Sequence, residues 1–257
     1  MTIREHLRNV FTLGSKPGPR GFVAEWTITL LLVFFGTSTL VQAYVIPTGS
    51  MEGTLLIGDH VLVDKIAYAD PGAFGKGLLP YRDLQRGDLI VFPYPLDPRT
   101  PYVKRVIGIP GDRIHLEGRQ VIRNGRRLIE PYTQHIARGT DRYRDNFPQV
   151  PPPGLPARAV DMLEHNVQNG EIVVPPGMLF AMGDNRENSS DSRYWGFVPR
   201  GTVIGKPLVI YWSYDAPTED LIDWNVPHLV DVALHFFPKT RWERMFLIPR
   251  SRPAEGS

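Results

Sequence analysis

The chain has 257 residues, with 29 basic and 27 acidic side chains and a formal net charge of +2, so its length allows one domain with an anchor or two small domains. The mixed, near-neutral charge gives no reason to expect a nucleic-acid surface. Cysteine is absent, which excludes disulfides, thiolate nucleophiles and cysteine-based zinc sites. The 25 prolines and 24 glycines favour short strands joined by turns, so the fold is expected to be mainly β.

The first long apolar segment, Trp26 to Ile46, has 21 residues without a charge. As a helix it would measure about 31 Å, enough to cross the hydrocarbon layer of a bilayer. Its basic flank is N-terminal, so we expect a cytoplasmic tail at residues 1–21, a transmembrane anchor helix at 22–46 and the rest of the chain outside. The alternative is a cleavable signal peptide ending at Val41-Gln42-Ala43, but the apolar run exceeds the usual length of such a segment.

Beyond the anchor, alternating patterns and turn residues predict a series of short strands. They are expected at Ile57–Lys65, Gly87–Phe92, Tyr102–Gly108, Glu171–Val174, Met178–Met182 and Thr202–Tyr214. Asn124-Gly125 is a hairpin signal between two further strands. Residues 131–170 lack a clear period and contain five prolines from Pro148 to Pro156, so irregular structure is expected there.

The C-terminal tail, residues 215–257, mixes apolar side chains with Lys239, Arg241 and Arg244. Two alternatives remain open for it. It either lies on a bilayer surface or covers the β core as a strand or a helix.

One serine and one lysine are the candidates for chemistry. Ser50 follows the apolar run, with Gly49 leaving space beside its hydroxyl, yet such a serine is by itself more often a turn residue. The sequence contains no G-x-S-x-G, S-x-x-K, H-E-x-x-H or P-loop motif, and its seven histidines are dispersed. The remaining candidate base is Lys104, on a predicted strand where burial would lower its pKa. The alternative for Lys104 is a half-buried stem with its ammonium in water.

Three segments, in order, resemble the motif boxes of bacterial type I signal peptidases, the Ser/Lys proteases that remove secretory signal peptides. They are IPTGSM with GTLLIGD around Ser50, YVKRVIGIPGD around Lys104, and MGDNRENSSDSRYWGFVP from Met182 to Pro199. The segment RGDLIVF resembles the box between the first two. The resemblance covers about residues 46–112 and 171–212, behind the expected anchor.

The resemblance implies a signal-peptidase-like catalytic β domain in two parts, residues 47–112 and 171–214, with an inserted smaller domain of β and irregular structure at 113–170. It implies a serine endopeptidase at the outer face of the bacterial cytoplasmic membrane, cutting after small residues at −3 and −1 of a signal peptide. No cofactor is expected. Signal peptides and the phospholipid bilayer are the expected partners, and the enzyme is expected to be a monomer that binds no nucleic acid.

Matched residue by residue, the resemblance implies that Ser50 is the nucleophile and Lys104 the general base. Ser189 matches the family serine that hydrogen-bonds and orients the lysine. The Ser50 backbone N–H and the Thr48 hydroxyl match the oxyanion hole, where family members often have serine in place of Thr48.

The resemblance also assigns supporting residues around this pair. Asp184 with Arg105, and Asp191 with Arg193, match acid-base pairs that brace the site. Shallow apolar pockets for the substrate are implied at Tyr44, Ile46, Pro47, Met51, Val91 and Val103. One departure is Gly53, where the family usually has proline, so the loop after the nucleophile is expected to be less rigid.

Two other interpretations of the sequence are possible. A self-cleaving, repressor-type Ser/Lys protease is disfavoured by the apolar anchor and by the lack of an N-terminal DNA-binding helical pattern. A catalytically silent, membrane-tethered β domain that binds exported chains would lack one member of the pair, and both Ser50 and Lys104 are present.

Overall fold

The structure is a computed structural model that describes residues 19–68, 82–136, 139–222, 226–251 and 255–256. Nearly all of the expected cytoplasmic tail, residues 1–21, lies outside the described residues. The chain divides into two compact units, Met1–Leu40 and Val41–Ser257.

The described part of the first unit is helical. Helix α1 spans Pro19–Phe35 and continues into a π-helical turn, Gly36–Leu40. Its apolar side chains are largely exposed, for example Leu31 at 63% and Phe34 at 73%. Across the described parts of the chain, no helix is both long enough and apolar enough to cross a membrane.

The prediction that the anchor helix spans residues 22–46 is wrong at its C-terminal end. Residues 41–45 form strand β1, Val41–Val45, which pairs antiparallel with β2, Asp59–Asp64, from Val41 opposite Asp64 to Val45 opposite His60. Valine and tyrosine fit a pleated, half-buried surface. The backbone hydrogen bonds of residues 41–45 therefore go to a neighbouring strand instead of continuing the helix.

The described residues of the second unit form three sheets. The first has the order β1-β2-β12, with β12 at Lys206–Ser213. The second has the order β11-β10-β4-β3, and its strands are Leu89–Tyr94 (β3), Asp97–Gly108 (β4), Met178–Met182 (β10) and Val198–Pro199 (β11). The two sheets meet where the Val91 N–H donates to the Gly205 carbonyl at 2.9 Å.

The third sheet has the order β13-β7-β6-β5-β9-β8. Its strands are Arg113–Glu117 (β5), Gln120–Arg123 (β6), Arg126–Ile129 (β7), Val167–Gln168 (β8), Glu171–Val173 (β9) and Glu255–Gly256 (β13). The predicted hairpin at Asn124-Gly125 is confirmed, since both residues have positive φ, 53° and 76°. The mainly β fold and all the predicted strands are thus present, although β4 begins five residues before its predicted start at Tyr102.

The expectation of irregular structure over 131–170 is wrong in part. A short helix, α2, spans Arg142–Asp145, and α3 spans Ala157–Asn166 with Ala159 and Met162 buried. The apolar residues of ARAVDMLEHN recur at helical spacing. The run of prolines immediately before it obscured that pattern.

The remaining helices lie around and after the second part of the core. They are Ser192–Trp195 (α4), Thr218–Ile222 (α5) and Val226–Lys239 (α6). After α6 the tail forms a 3-10 turn, Trp242–Arg244, and then lies along β12, where the Phe246 N–H donates to the Ile210 carbonyl at 2.7 Å. The tail therefore covers the edge of the first sheet, while α6 keeps Leu234 and Phe237 exposed at 71% and 75%.

Candidate active site

Ser50 lies in a buried 3-10 turn, Gly49–Met51, that follows β1. The turn is held at its start because the Ile46 N–H donates to the Asp59 carbonyl at 2.9 Å. A side chain at Gly49 would meet the Glu52 carboxylate, so a larger residue there would have to displace the Glu52 side chain. The Ser50 side chain is thereby fixed in the wall of a cleft.

Lys104 reaches Ser50 from the middle of strand β4. Its Nζ lies 2.7 Å from Ser50 Oγ and 3.1 Å from the Val103 carbonyl oxygen. Lys104 is 2% exposed, and its amine also lies 4.9 Å from the centre of the Tyr102 ring. A hydroxyl and an amine at this separation are within reach for direct proton transfer.

The surroundings of Lys104 favour its neutral form. Burial lowers the pKa of Lys104 from 10.5 to about 8, while the negative charges of Asp191 and Asp184 act in the opposite direction. A lysine with a pKa of 8 is half neutral at about pH 8, whereas an unperturbed one is under about 1% neutral. The site therefore contains an amine that can accept a proton near neutral pH.

The expected hydrogen bond between Ser189 and Lys104 is not formed. Ser189 Oγ is buried without a hydrogen-bond partner in the part of the chain that the structure describes. It lies near Asp191, outside the geometry of a hydrogen bond, and it packs against Gly183, as does the Ser50 carbonyl oxygen. Ser189 is thus beside the turn that carries Ser50, while the lysine amine bonds to the Val103 carbonyl oxygen instead.

The pair of Arg105 and Asp184 forms a buried, two-bond contact behind Lys104. Arg105 Nε and Nη2 donate to the Asp184 carboxylate at 2.8 and 2.7 Å. Asp184 also accepts from Thr54 Oγ1 at 2.6 Å, and the Tyr132 ring stacks on the guanidinium at 3.8 Å. This pair connects β4 to the loop that follows Ser50 and to the loop after β10.

The pair of Asp191 and Arg193 fixes the loop after β10. Arg193 Nε and Nη2 each donate to Asp191 at 2.8 Å, and the Gly183 N–H donates to the same carboxylate at 3.2 Å. Burial alone would raise the pKa of Asp191, but the Arg193 charge and these hydrogen bonds bring it below its ordinary value. Asp191 is therefore a permanent negative charge near Lys104.

A cavity of about 240 Å³ opens onto Ser50 and Lys104. All six residues expected to form substrate pockets line it, and Thr48 does so beside Ser50. Four further residues that line this cavity were not predicted from the sequence, namely Val45, Thr100, Pro101 and Tyr102. Tyr102 shares a strand face with Lys104 because residues two apart point the same way, so this one could have been found.

The contacts that hold the GDNR segment against the turn that carries Ser50 were not predicted from the sequence. The Asn185 N–H donates to the Ser50 carbonyl at 3.1 Å. Arg186 donates to the Gly183 carbonyl at 3.0 Å and makes two bonds, at 2.6 and 2.7 Å, with Glu130 from the insertion. The motif letters pointed to this segment, but no sequence signal identified Glu130 as the partner.

The arrangement suits acyl transfer through a serine oxygen. It combines a hydroxyl, a buried amine of lowered pKa and an apolar cleft, as in a nucleophile activated by an adjacent base. In the described ranges, no group of three or more histidine, aspartate or glutamate side chains could hold a metal ion.

Comparison with known protein families gave a match over most of the chain. The family described as "Signal peptidase, peptidase S26" matches residues 20–212. The chain is 33% identical over 229 residues to signal peptidase I of Aquifex aeolicus, covering 76% of this chain and 85% of the relative. It is 34% identical over 213 residues to signal peptidase I of Pseudomonas fluorescens, covering 73% and 70% respectively.

A solved structure is also similar in sequence. The crystal structure of a signal peptidase I from Enterococcus faecalis V583 is 32% identical to the chain, with a TM-score of 0.37. The alignment covers 49% of this chain and 97% of that one.

Proposed function

The chain belongs to the peptidase S26 family of signal peptidases, and from this we propose that it removes N-terminal signal peptides from exported preproteins with Ser50 as nucleophile and Lys104 as general base. Its membership makes it a serine peptidase of the signal peptidase I type. The observation that carries the residue assignment is the 2.7 Å separation of Lys104 Nζ and Ser50 Oγ inside a buried site.

In the proposed reaction, neutral Lys104 takes the Ser50 proton as the serine oxygen attacks the carbonyl carbon of the scissile bond. The resulting ammonium gives that proton to the amine of the departing mature protein, which leaves an acyl-enzyme. Lys104 then takes a proton from water as the water attacks the ester, and it returns this proton to Ser50 Oγ as the ester bond breaks and the signal peptide is released. The lowered pKa of Lys104 makes each of these transfers possible near pH 8.

The negative charge that develops on the substrate oxygen needs hydrogen-bond donors. We assign this role to the Ser50 backbone N–H and the Thr48 hydroxyl, since Thr48 lines the cleft beside Ser50. Preorganised donors of this kind contribute about 3 to 4 kcal/mol to the transition state. Asp184 with Arg105, and Asp191 with Arg193, hold the strand of Lys104 and the neighbouring loops in place, while Ser189 packs beside them against Gly183.

Specificity for small residues at −3 and −1 follows from the size of the cleft. Its volume of about 240 Å³ is bounded by apolar side chains such as Ile46, Met51 and Val91. Large side chains are rejected by overlap, whereas similar small ones differ by only about 1 to 3 kcal/mol. Strand β1, which contributes Tyr44 to the cleft, is at the edge of its sheet, where an extended substrate could add as a strand.

The apolar N-terminal segment is proposed to anchor the enzyme in the bacterial cytoplasmic membrane, with the N-terminus cytoplasmic and the second unit outside. Large exposed apolar side chains along α1, such as Leu31 and Phe34, support contact with lipid. The exposed face of α6, with Leu234 and Phe237, supports a second lipid contact by the tail. The enzyme is proposed to act as a monomer without a cofactor.

The proposed domain division keeps the catalytic core in two parts, 47–112 and 171–214, around the insertion at 113–170. β1 is added to the first part, because it pairs with β2. The tail at 215–257 belongs to the same unit, because it lies along β12.

Purified full-length protein in detergent is expected to cleave a preprotein at its signal-peptide junction. Ser50→Ala and Lys104→Met are each expected to reduce turnover to background, because the first removes the nucleophile and the second removes the base without changing the apolar stem. Cleavage that persists in Lys104→Met would exclude the Ser/Lys mechanism. Binding of preproteins without cleavage by the wild-type enzyme would favour a catalytically silent receptor instead.

A further inference from the structure

The loop that follows Ser50 contains Gly53, which has a φ of +97°. Residues other than glycine rarely adopt this left-handed conformation. Glycine also leaves the most conformational freedom in the unfolded loop. Contacts with residues outside the loop therefore help to set its position.

We infer that Arg244, in the C-terminal tail, is a positioning residue for the Ser50 nucleophile, an inference that rests on the proposed role of Ser50. Arg244 Nε and Nη2 donate to the Asp59 carboxylate at 2.9 and 2.6 Å. The same Nη2 donates to the Thr54 carbonyl oxygen at 3.2 Å. The two side chains are 15% and 0% exposed, so this is a two-bond ion pair largely removed from water.

Asp59 connects Arg244 to the loop that follows Ser50. Its carboxylate accepts the Leu56 N–H at 2.8 Å, and it also accepts Ser213 Oγ at 2.7 Å. A buried carboxylate that loses its cationic partner is strongly destabilised. Without Arg244, Asp59 would either draw in water or move, and the Leu56 backbone would move with it.

Further hydrogen bonds connect this loop to the turn that carries Ser50. The N–H groups of Thr54 and Leu55 donate to the Met51 carbonyl at 3.0 and 2.8 Å, which closes the turn directly after Ser50. Thr54 Oγ1 also donates to Asp184 at 2.6 Å. Arg244 thus holds the far side of a turn whose near side carries the reacting hydroxyl.

Arg244 acts at a distance from the substrate. It lines a separate cavity of about 610 Å³ together with Gly53 and Thr54. This cavity has no lining residue in common with the cleft at Ser50 and Lys104. Loss of Arg244 should therefore lower kcat through misplacement of Ser50, while KM should change little.

The test uses full-length enzyme in detergent, below its unfolding temperature, with a signal-peptide substrate. Arg244→Gln is expected to lower kcat about 10- to 100-fold, since small displacements of a reacting group cost up to about that much. Arg244→Lys should recover part of the loss, because lysine keeps the charge but loses the paired geometry. Asp59→Asn in the Arg244→Gln background should add little further loss.

The matched control is Lys239→Gln in the same tail. Lys239 binds Asp231 through two contacts of 2.8 Å and does not contact the nucleophile loop in the described structure. This variant should keep the wild-type kcat even if its unfolding temperature falls. A kcat loss in Arg244→Gln no greater than in Lys239→Gln would reduce Arg244 to a general stabiliser and overturn the inference.

Hydrogen exchange gives a second readout that does not depend on activity. Amide exchange in residues 51–58 should accelerate in Arg244→Gln and remain unchanged in Lys239→Gln. Unchanged exchange in folded Arg244→Gln protein would contradict the inference. If the exchange responds as expected but the wild-type enzyme cleaves no preprotein, the proposed function fails while the positioning of the loop by Arg244 stands.

Discussion

Lys104 must be neutral to act as a base, and this requirement sets the expected pH dependence. Its pKa is lowered to about 8, so the neutral fraction falls about tenfold for each pH unit below that value. We expect kcat/KM to rise from pH 6 to pH 8 and to level off above the pKa. The measurement is the pH profile of cleavage of a peptide whose own groups do not titrate in this range. A flat profile between pH 6 and pH 9 would contradict the assignment.

Gly183 is a residue at which even the smallest substitution should damage the site. A methyl group there would overlap both Ser189 Oγ and the Ser50 carbonyl oxygen. We expect Gly183→Ala to reduce kcat about 100-fold or more, because the nucleophile turn must shift to make room. Gly201→Ala is the control, since no atom lies within 4 Å of a methyl group at that position. Equal activity of the two variants would show that the turn tolerates displacement.

The two residues proposed to perform the chemistry could be named from the sequence, but some of their partners could not. Ser50 and Lys104 lie within long ordered motifs, and the two acid-base pairs bracing them were predicted with the correct partners. The prediction of a hydrogen bond from Ser189 to Lys104 was wrong, because the lysine amine bonds to a backbone carbonyl of its own strand. Such a choice depends on distances of a few tenths of an ångström that a motif does not encode.

At the scale of elements, a buried ion pair between Arg186 and Glu130 is among the contacts that join the insertion to the site. The Arg186 and Glu130 side chains are 3% and 7% exposed, and Arg186 also holds the Gly183 carbonyl. We expect Glu130→Gln to lower the free energy of unfolding by about 3 to 5 kcal/mol, since it leaves a buried guanidinium uncompensated. Denaturant unfolding followed by tryptophan fluorescence measures this change.

Two further variants test whether the loss of stability comes from the buried Arg186–Glu130 pair or from the loss of any charge. Replacing both partners, Glu130→Met with Arg186→Met, should be less destabilising than Glu130→Gln alone, because no charge is then left unpaired. Asp83→Asn should have no measurable effect, since the side chain of Asp83 is 82% exposed in its pair with Arg200. A double variant less stable than the single one would contradict this account.

Elements with a strong local pattern were predictable, and those decided by tertiary contacts were not. The Asn124-Gly125 hairpin and strands β2, β3 and β10 followed from alternation and turn residues. Residues 41–45 continue an apolar run, so their pattern suits a helix or a strand equally. Pairing with β2 decides the outcome, and this information lies in another part of the chain.

At the scale of the whole molecule, the boundary between the two units gives a prediction about truncation. Removal of residues 1–40 should leave the second unit folded and able to cleave a short soluble peptide, because β1 is intact. Removal of residues 1–46 should abolish cleavage, since it deletes β1 with its five paired residues and takes Tyr44 and Ile46 from the cleft. Unfolding temperature and peptide cleavage measure both variants. Full activity of the shorter fragment would show that β1 is dispensable.

The overall class and the motif order were accessible from sequence, whereas the path of the C-terminus was not. A mainly β chain was expected, and the sheets confirm it, while the division into two catalytic parts around an insertion stays a prediction. The tail remained ambiguous because its composition suits both lipid and protein surroundings. It lies along β12, and its last described strand pairs with β7.

The ion pair between Asp59 and Arg244 joins residues 185 positions apart. If the catalytic unit crosses the membrane N-terminus first, the loop carrying the nucleophile emerges long before the arginine that holds it. The ion pair cannot form until the segment that carries Arg244 has emerged. Proteolytic competence would then arise only when translocation of the enzyme's own chain is almost complete, and a stalled translocation intermediate would remain inactive.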